Sequence, residues 1–410
     1  MLVVRNIGQL VLPRFDAETG RPRVETIDRA AVLIDGGRIA EFGPAESVDV
    51  PADADELDAG GGCVTPGLID CHTHTVFAGT REHEFVRRIE GQSYAEIAEE
   101  GGGIRVTVEA VRRASVDELV GLALPRLQRM LGNGVTTVEI KSGYGLTVDD
   151  EIKMLRAVAR LRSLQPIELI GTCLAAHTVP PEFADRRGAY LDMICDDAFL
   201  RRMANERLAE FCDVFCERTA FSVDESRRVL LAARRHGLTP KIHADQITQM
   251  GASRLAAEVG AVTADHLETI DADGIAAMRR AGTIAVLLPG CSFFLGVHQA
   301  PARAILDAGV PVAVATDYNP GSSMVESLPL VMSIACTQMR MTPNEVMVAV
   351  TVNAAAAVHR RETAGAIDAD RAADLVILDV PDYARWMYEP GRNCVRTVIK
   401  GGRVVHRRQD

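Results

Sequence analysis

His72 and His74 stand two apart at the end of the run Pro66-Gly67-Leu68-Ile69-Asp70-Cys71-His72-Thr73-His74. On an extended segment that spacing sends both imidazoles to one side, where they can bind the same metal ion. Burying two unpaired imidazoles for packing alone is costly, so the pair reads as ligand before core. His177, His243 and His266 each come at the end of a further apolar run, and Asp317 closes another. Five of the ten histidines therefore sit where a strand would end, and these carry the chemical expectation. His83, His236, His298, His359 and His406 fall in predicted loops, helices or terminal strands and carry none. Imidazoles joined by one carboxylate suit Zn²⁺ or Fe²⁺, whereas Mg²⁺ and Ca²⁺ prefer more oxygen ligands.

Such residues need a frame that brings distant strand ends together. Eight strand candidates alternate with helical stretches: Val64–Ile69, Val135–Lys141, Glu168–Ala175, Cys212–Glu217, Pro240–His243, Val262–His266, Ile284–Leu288 and Val312–Asp317. Amphipathic stretches such as Asp117–Leu131, Asp149–Leu161, Asp224–His236 and Ile247–Val259 separate them. Eight βα units predict an α/β fold, a (β/α)8 TIM barrel, whose active site lies at the C-terminal ends of the strands. The two ends of the chain read differently. Leu2–Leu12, Ala31–Ile34 and Arg38–Phe42 at one end, with Ala373–Leu378 and Val395–Val405 at the other, are short strands. Asp35-Gly36-Gly37 and Gly401-Gly402 mark their turns. Residues 1–65 and 360–410 are expected to form one composite β-sandwich domain, with the barrel over 66–359 inserted between them.

Composition narrows the partners. The 410 residues are 47% apolar and 25% charged, an ordinary globular balance. A net charge of −11 without a Lys/Arg-rich run argues against nucleic acid. No stretch has the length of a membrane span, and Met1 to Phe15 lacks the pattern of a signal peptide. The nine cysteines are odd in number and irregular in spacing, so they read as reduced core residues of a cytoplasmic protein. That includes the Cys212/Cys216 pair, for which no second thiol pair is offered. With aromatics at 4%, the core must be mainly Ala, Val, Leu and Ile. The partners expected are a small-molecule substrate and, at most, a second copy of the chain in a homodimer.

The Pro-Gly-Leu-Ile-Asp-x-His-x-His motif, the later single histidines and the strand-eight Asp resemble the amidohydrolase superfamily. Longer segments narrow the likeness. They are Val76-Phe77-Ala78-Gly79-Thr80-Arg81, Glu100-Gly101-Gly102-Gly103-Ile104, Lys141-Ser142-Gly143-Tyr144-Gly145 and Ala176-His177-Thr178-Val179-Pro180-Pro181. Ala264-Asp265-His266-Leu267-Glu268, Leu287-Leu288-Pro289-Gly290 and Ala315-Thr316-Asp317-Tyr318-Asn319-Pro320-Gly321-Ser322 complete the set. Running in order through nearly the whole barrel, they resemble the imidazolonepropionase family.

That resemblance implies a single metal held by His72, His74, His243 and Asp317. Some superfamily members bridge two metals with a carbamylated lysine ending strand four. Here that strand ends Phe215-Cys216-Glu217, and Lys141 lies on strand two, so one Zn or Fe per chain is expected. By the same resemblance Arg81, Tyr144, His177, Asn319, Gly321 and Ser322 contact the substrate. The planar fork of Arg81 suits a carboxylate, and the Gly101–Gly103 run suits close backbone approach or a moving lid. The implied reaction is hydrolysis of the cyclic amide of 4-imidazolone-5-propanoate to N-formimidoyl-L-glutamate. Asp317 would move the proton, and His266 or His177 would stabilise the oxyanion. Many ring deaminases of the superfamily carry a proton-shuttling glutamate three residues after the strand-five histidine. Gln246 stands there instead; it can hydrogen-bond a ring but cannot shuttle a proton.

Overall fold

The computed structural model describes residues 1–16, 19, 21–92, 96–97 and 101–409. Five strands come first: β1 (Leu2–Asp16), β2 (Arg21–Asp35), β3 (Arg38–Pro44), β4 (Asp55–Asp58) and β5 (Cys63–Pro66). β1 pairs antiparallel with β2 and parallel with β4 and β5, and β2 pairs antiparallel with β3. Eight strands then alternate with helices: β6 (Leu68–Thr73), β7 (Val135–Lys141), β8 (Glu168–Ala176), β9 (Phe211–Cys216), β10 (Thr239–Ala244), β11 (Thr263–His266), β12 (Ile284–Leu287) and β13 (Val312–Val314). Every neighbouring pair among them is parallel. β14 (Leu375–Leu378), β15 (Val395–Lys400) and β16 (Arg403–Arg407) return to the first sheet, where β14 pairs with β5. The chain is thus a (β/α)8 barrel with a second, mixed sheet made from its two ends.

Burial explains why the barrel strands lack polar alternation. β6, β7 and β11 are buried at every position, as expected for parallel strands covered on one face by helices and closed on themselves on the other. Ile69, Ile170, Phe211, Val286 and Ala313 form one interior cluster with Ala354 and Ala357 of the helix Val352–Ala357. The core is built largely from Ala, Val, Leu and Ile, with the lone Trp386 buried among them. The nine cysteines are free, and Cys212 and Cys216 lie in the apolar layer around the barrel.

The first barrel strand departs from expectation. Val64–Ile69 reads as one strand, but the chain divides it. Cys63–Pro66 belongs to the terminal sheet, and the barrel strand starts at Leu68. The break falls at Gly67, where a Cβ would come within 2.2 Å of the Thr136 hydroxyl, so only glycine lets the chain turn there. An unbroken apolar run hides such a change of sheet. The helix expected over Ile247–Val259 starts only at Ala252, because the N–H groups of the preceding residues are taken by the Glu217 and Asp245 carboxylates and Gly251 turns left-handed.

Candidate metal centre

The barrel closes at the strands that carry the chemistry. Asp317 N–H donates to His72 O and His74 N–H to Tyr318 O, each at 3.0 Å. Beneath them Thr316 donates its backbone N–H and hydroxyl to the Asp70 carboxylate at 3.1 and 2.7 Å. His72 is the last residue but one of β6, His74 follows the strand, His243 lies on β10 and His266 ends β11. Asp317 lies three residues beyond β13. His266 (φ 79°) and Asp317 (φ 52°) both adopt the left-handed region that non-glycine residues rarely occupy. Strain of this kind persists where surroundings over-determine it, and it concentrates at functional sites.

These side chains converge. Nitrogens of His72, His74 and His243 lie within 4.8 Å of one another, as do ligating atoms of His72, His266 and Asp317. His72 Nε2 and His74 Nε2 are each 3.5 Å from one oxygen of Asp317. Burial, with the charge of Lys141, pushes His72 well below the usual imidazole range, and burial with His177 does the same to His74. Both are therefore neutral and able to offer lone pairs. Burial also pulls His266 down, but Glu268, Asp317 and Asp265 outweigh it and raise this histidine. Burial raises Asp317, against the pull of His266 and His243.

Around the cluster, His177 stacks on His74 with ring centres 5.4 Å apart, and Tyr144 packs against both. Burial lowers His177 to about 3, so it is neutral. Its Nδ1 lies 3.1 Å from Gly143 O, which can only accept, so Nδ1 carries the proton and Nε2 is left as an acceptor. A Cβ at Gly143 would meet this ring at 2.9 Å. Glu151, buried on the helix Val148–Leu161, accepts the N–H groups of Gly143, Gly145 and Leu146 and so shapes the loop that presents Tyr144.

Arg81 is buried, and its Nε and Nη2 donate to Glu84, whose other oxygen accepts from Gly103 N–H. Its Nη1 faces Gly321, where a Cβ would approach to 2.3 Å. Asn319 spends its side chain on its own loop. It donates to Asp317 O and Ser322 Oγ and accepts from the N–H groups of Gly321 and Ser322. Gln246, half-buried, contacts the Cys291 sulfur, and Cys291 in turn bonds Asp317. Asp245 faces away, accepting four backbone N–H groups over Met250–Ser253 as the cap of the next helix. Glu100, in the motif that precedes Gly101, lies outside the described residues.

Comparison with known proteins supplies the family. Residues 63–405 match the model of the amidohydrolase family. Imidazolonepropionase of Geobacillus kaustophilus is 49% identical over 92% of this chain and 90% of its own. That of Fusobacterium nucleatum is 44% identical over 99% of each. The chain belongs to the imidazolonepropionase family of amidohydrolases. It is accordingly a hydrolase. Among solved structures, 5-methylcytosine deaminase of Klebsiella pneumoniae shares the fold with a TM-score of 0.75 at 17% identity, covering 100% of this chain and 98% of its own. An atrazine chlorohydrolase of Arthrobacter aurescens does so at 0.69 and 18%, covering 98% and 95%.

The amidohydrolase cluster fits a divalent metal on its own geometry. His72 Nε2 and His243 Nε2 are buried without a hydrogen-bond partner, a costly state for lone pairs unless they ligate an ion. His83, His236, His298, His359 and His406 are absent from both ligating groups. Sequence reasoning missed the carboxylates behind the histidines. Asp265 Oδ2 lies 2.6 Å from His72 Nδ1, and Asp213 Oδ2 lies 3.0 Å from His243 Nδ1. It also missed Glu84, Glu151, Glu268 and Cys291. Asp213 was detectable as the one charge inside an otherwise apolar strand, and Glu139 as a second charge two before Lys141 on β7. Asp265 precedes His266 directly, so strand alternation alone would turn it away from that histidine.

Proposed function

We propose that this chain opens the ring of 4-imidazolone-5-propanoate by adding water across its cyclic amide, giving N-formimidoyl-L-glutamate in histidine degradation. The near-full-length likeness to proteins named imidazolonepropionase carries this reading. One Zn²⁺ or Fe²⁺ would be held by His72, His74, His243 and Asp317. When bound, such an ion supplies Lewis acidity that makes water reactive near neutral pH. Asp317 accepts the proton of the attacking water and delivers it to the ring nitrogen as the carbon–nitrogen bond breaks. His266 donates to the oxygen that gains charge, in keeping with the carboxylates that favour its protonated form. His177 cannot share that task, because its free Nε2 is an acceptor; it takes a hydrogen bond from a ring N–H. Tyr144 walls the ring.

Arg81 Nη1 binds the propanoate, with Gly321 leaving room and Asn319 and Ser322 holding the loop in place. Gln246 hydrogen-bonds the ring without moving a proton, unlike the glutamate of ring deaminases. We assign the chemistry to residues 66–359, with 1–65 and 360–410 as the composite domain, and place the reaction in the cytoplasm. Among the described residues no helix is long and apolar enough to cross a membrane. Incubating the metal-loaded protein with imidazolonepropanoate should remove the ring's ultraviolet absorbance and yield the formimidoyl product. Persistence of the absorbance would refute the proposal.

A further inference from the structure

Lys141, Lys241, Glu139, Asp213 and Asp265 form one fully buried charged cluster beneath the metal centre, and no step of the proposed reaction uses them. Lys141 and Glu139 are two apart on β7, so both point into the barrel. The Lys141 ammonium crosses the interior to strands two and four places away. It meets Asp213 Oδ2 on β9 at 2.7 Å and Asp265 Oδ2 on β11 at 3.3 Å, with Glu139 Oε1 at 3.1 Å. The same oxygens of Asp213 and Asp265 face His243 Nδ1 at 3.0 Å and His72 Nδ1 at 2.6 Å. The His72 contact is a hydrogen bond, and the His243 contact is short but bent. One ammonium therefore touches both carboxylates that back two imidazoles from different strands.

We infer that Lys141 is a positioning residue for the metal centre. Its ammonium ties Asp213 and Asp265 together, so that each carboxylate holds the Nδ1 edge of one imidazole and turns its Nε2 toward the ion. This rests on the reading of His72 and His243 as ligands. Imidazole ligands are commonly oriented by a partner on the other ring nitrogen, and losing such support weakens metal binding roughly ten- to a hundredfold. Here one residue supports two ligands at once. The amine is also committed to three ion pairs, so it serves the site as a cation and not as a carbamate bridge.

Lys241 separates positioning from mere charge balance. Its ammonium is equally buried in the same cluster, but it bonds Glu139 Oε2 at 2.6 Å and lies over the Phe211 ring. The test compares the full chain with Lys141→Met and Lys241→Met. Zn²⁺ affinity is read by competition with a chromophoric chelator, and ligand geometry by the visible spectrum of the Co²⁺-loaded protein. Lys141→Met should weaken Zn²⁺ binding by about tenfold or more and alter the Co²⁺ spectrum. Lys241→Met should leave both near the unaltered values even where its melting temperature falls as far. Lys141→Gln, which keeps one donor toward Asp213, carries the same expectation where the Met variant does not fold. In the unaltered zinc-loaded protein, ¹⁵N spectra should find the proton on Nδ1 of both His72 and His243. Equal losses in the two lysine variants, unchanged affinity without Lys141, or a proton on Nε2 of either histidine would overturn the inference. An unaltered chain that binds no Zn²⁺ would instead overturn the metal-site reading itself, and this inference with it.

Discussion

At the scale of single residues, holding the metal and moving the proton are separable tasks. Asp317 is assigned both tasks, and substitution can part them. Asp317→Asn keeps an oxygen near the cluster but cannot carry a proton. It should abolish turnover far more than it weakens metal binding, as measured by elemental analysis beside the rate. A fully loaded Asn variant with near-native rate would remove Asp317 as the base. Arg81 tests the substrate. A charge-assisted bond to the propanoate contributes roughly 1.5–3 kcal/mol, which is about tenfold to over a hundredfold in kcat/KM. Arg81→Met should impair imidazolonepropanoate by that factor and scarcely affect an imidazolone lacking the carboxylate. Because Arg81 also anchors Glu84 and, through it, Gly103, equal losses on both compounds would mean that it supports the loop alone. His72, His74, His243 and Asp317 were legible because each ends an apolar run. Glu84 and Glu151 were not, since a carboxylate that serves loop N–H groups looks, in sequence, like any helical charge.

At the scale of elements, loops complete the site that the strands begin. Glu151 reaches from its helix to three N–H groups of the loop bearing Tyr144 and Gly143. Glu151→Ala would leave those donors buried and unpaired, at about 1–3 kcal/mol for each one that water cannot reach. It should lower the denaturation midpoint and raise KM together. Ser222→Ala offers a contrast. Ser222 and Glu225 form a capping box at the start of the helix Val223–Arg235, on the outside of the barrel. Its loss should cost about 1 kcal/mol of stability with kcat and KM unchanged, and a changed KM would show that this helix reaches the site. The eight βα units were legible from the alternation of apolar runs and amphipathic stretches. The division at Gly67 was not, because β5 and β6 join in one apolar run and only pairing partners tell the two sheets apart.

For the whole molecule, the centre ties together strands from both ends of the barrel sequence, so metal and fold are coupled. A ligand that binds only the folded state stabilises it by mass action. Removing metal with a chelator should therefore lower the melting temperature, and Zn²⁺ should restore it; unchanged melting would mean that the cluster does not hold an ion in the folded chain. His72→Ala should erase this response along with activity. The claim on which the rest depends is that one ion, held by His72, His74, His243 and Asp317, drives ring opening. Metal-free protein titrated with Zn²⁺ or Fe²⁺, followed by the loss of imidazolonepropanoate absorbance, tests it most directly. The rate should rise linearly and level off at about one equivalent per chain. A rate that needs two equivalents, or that does not depend on added metal, would contradict the account.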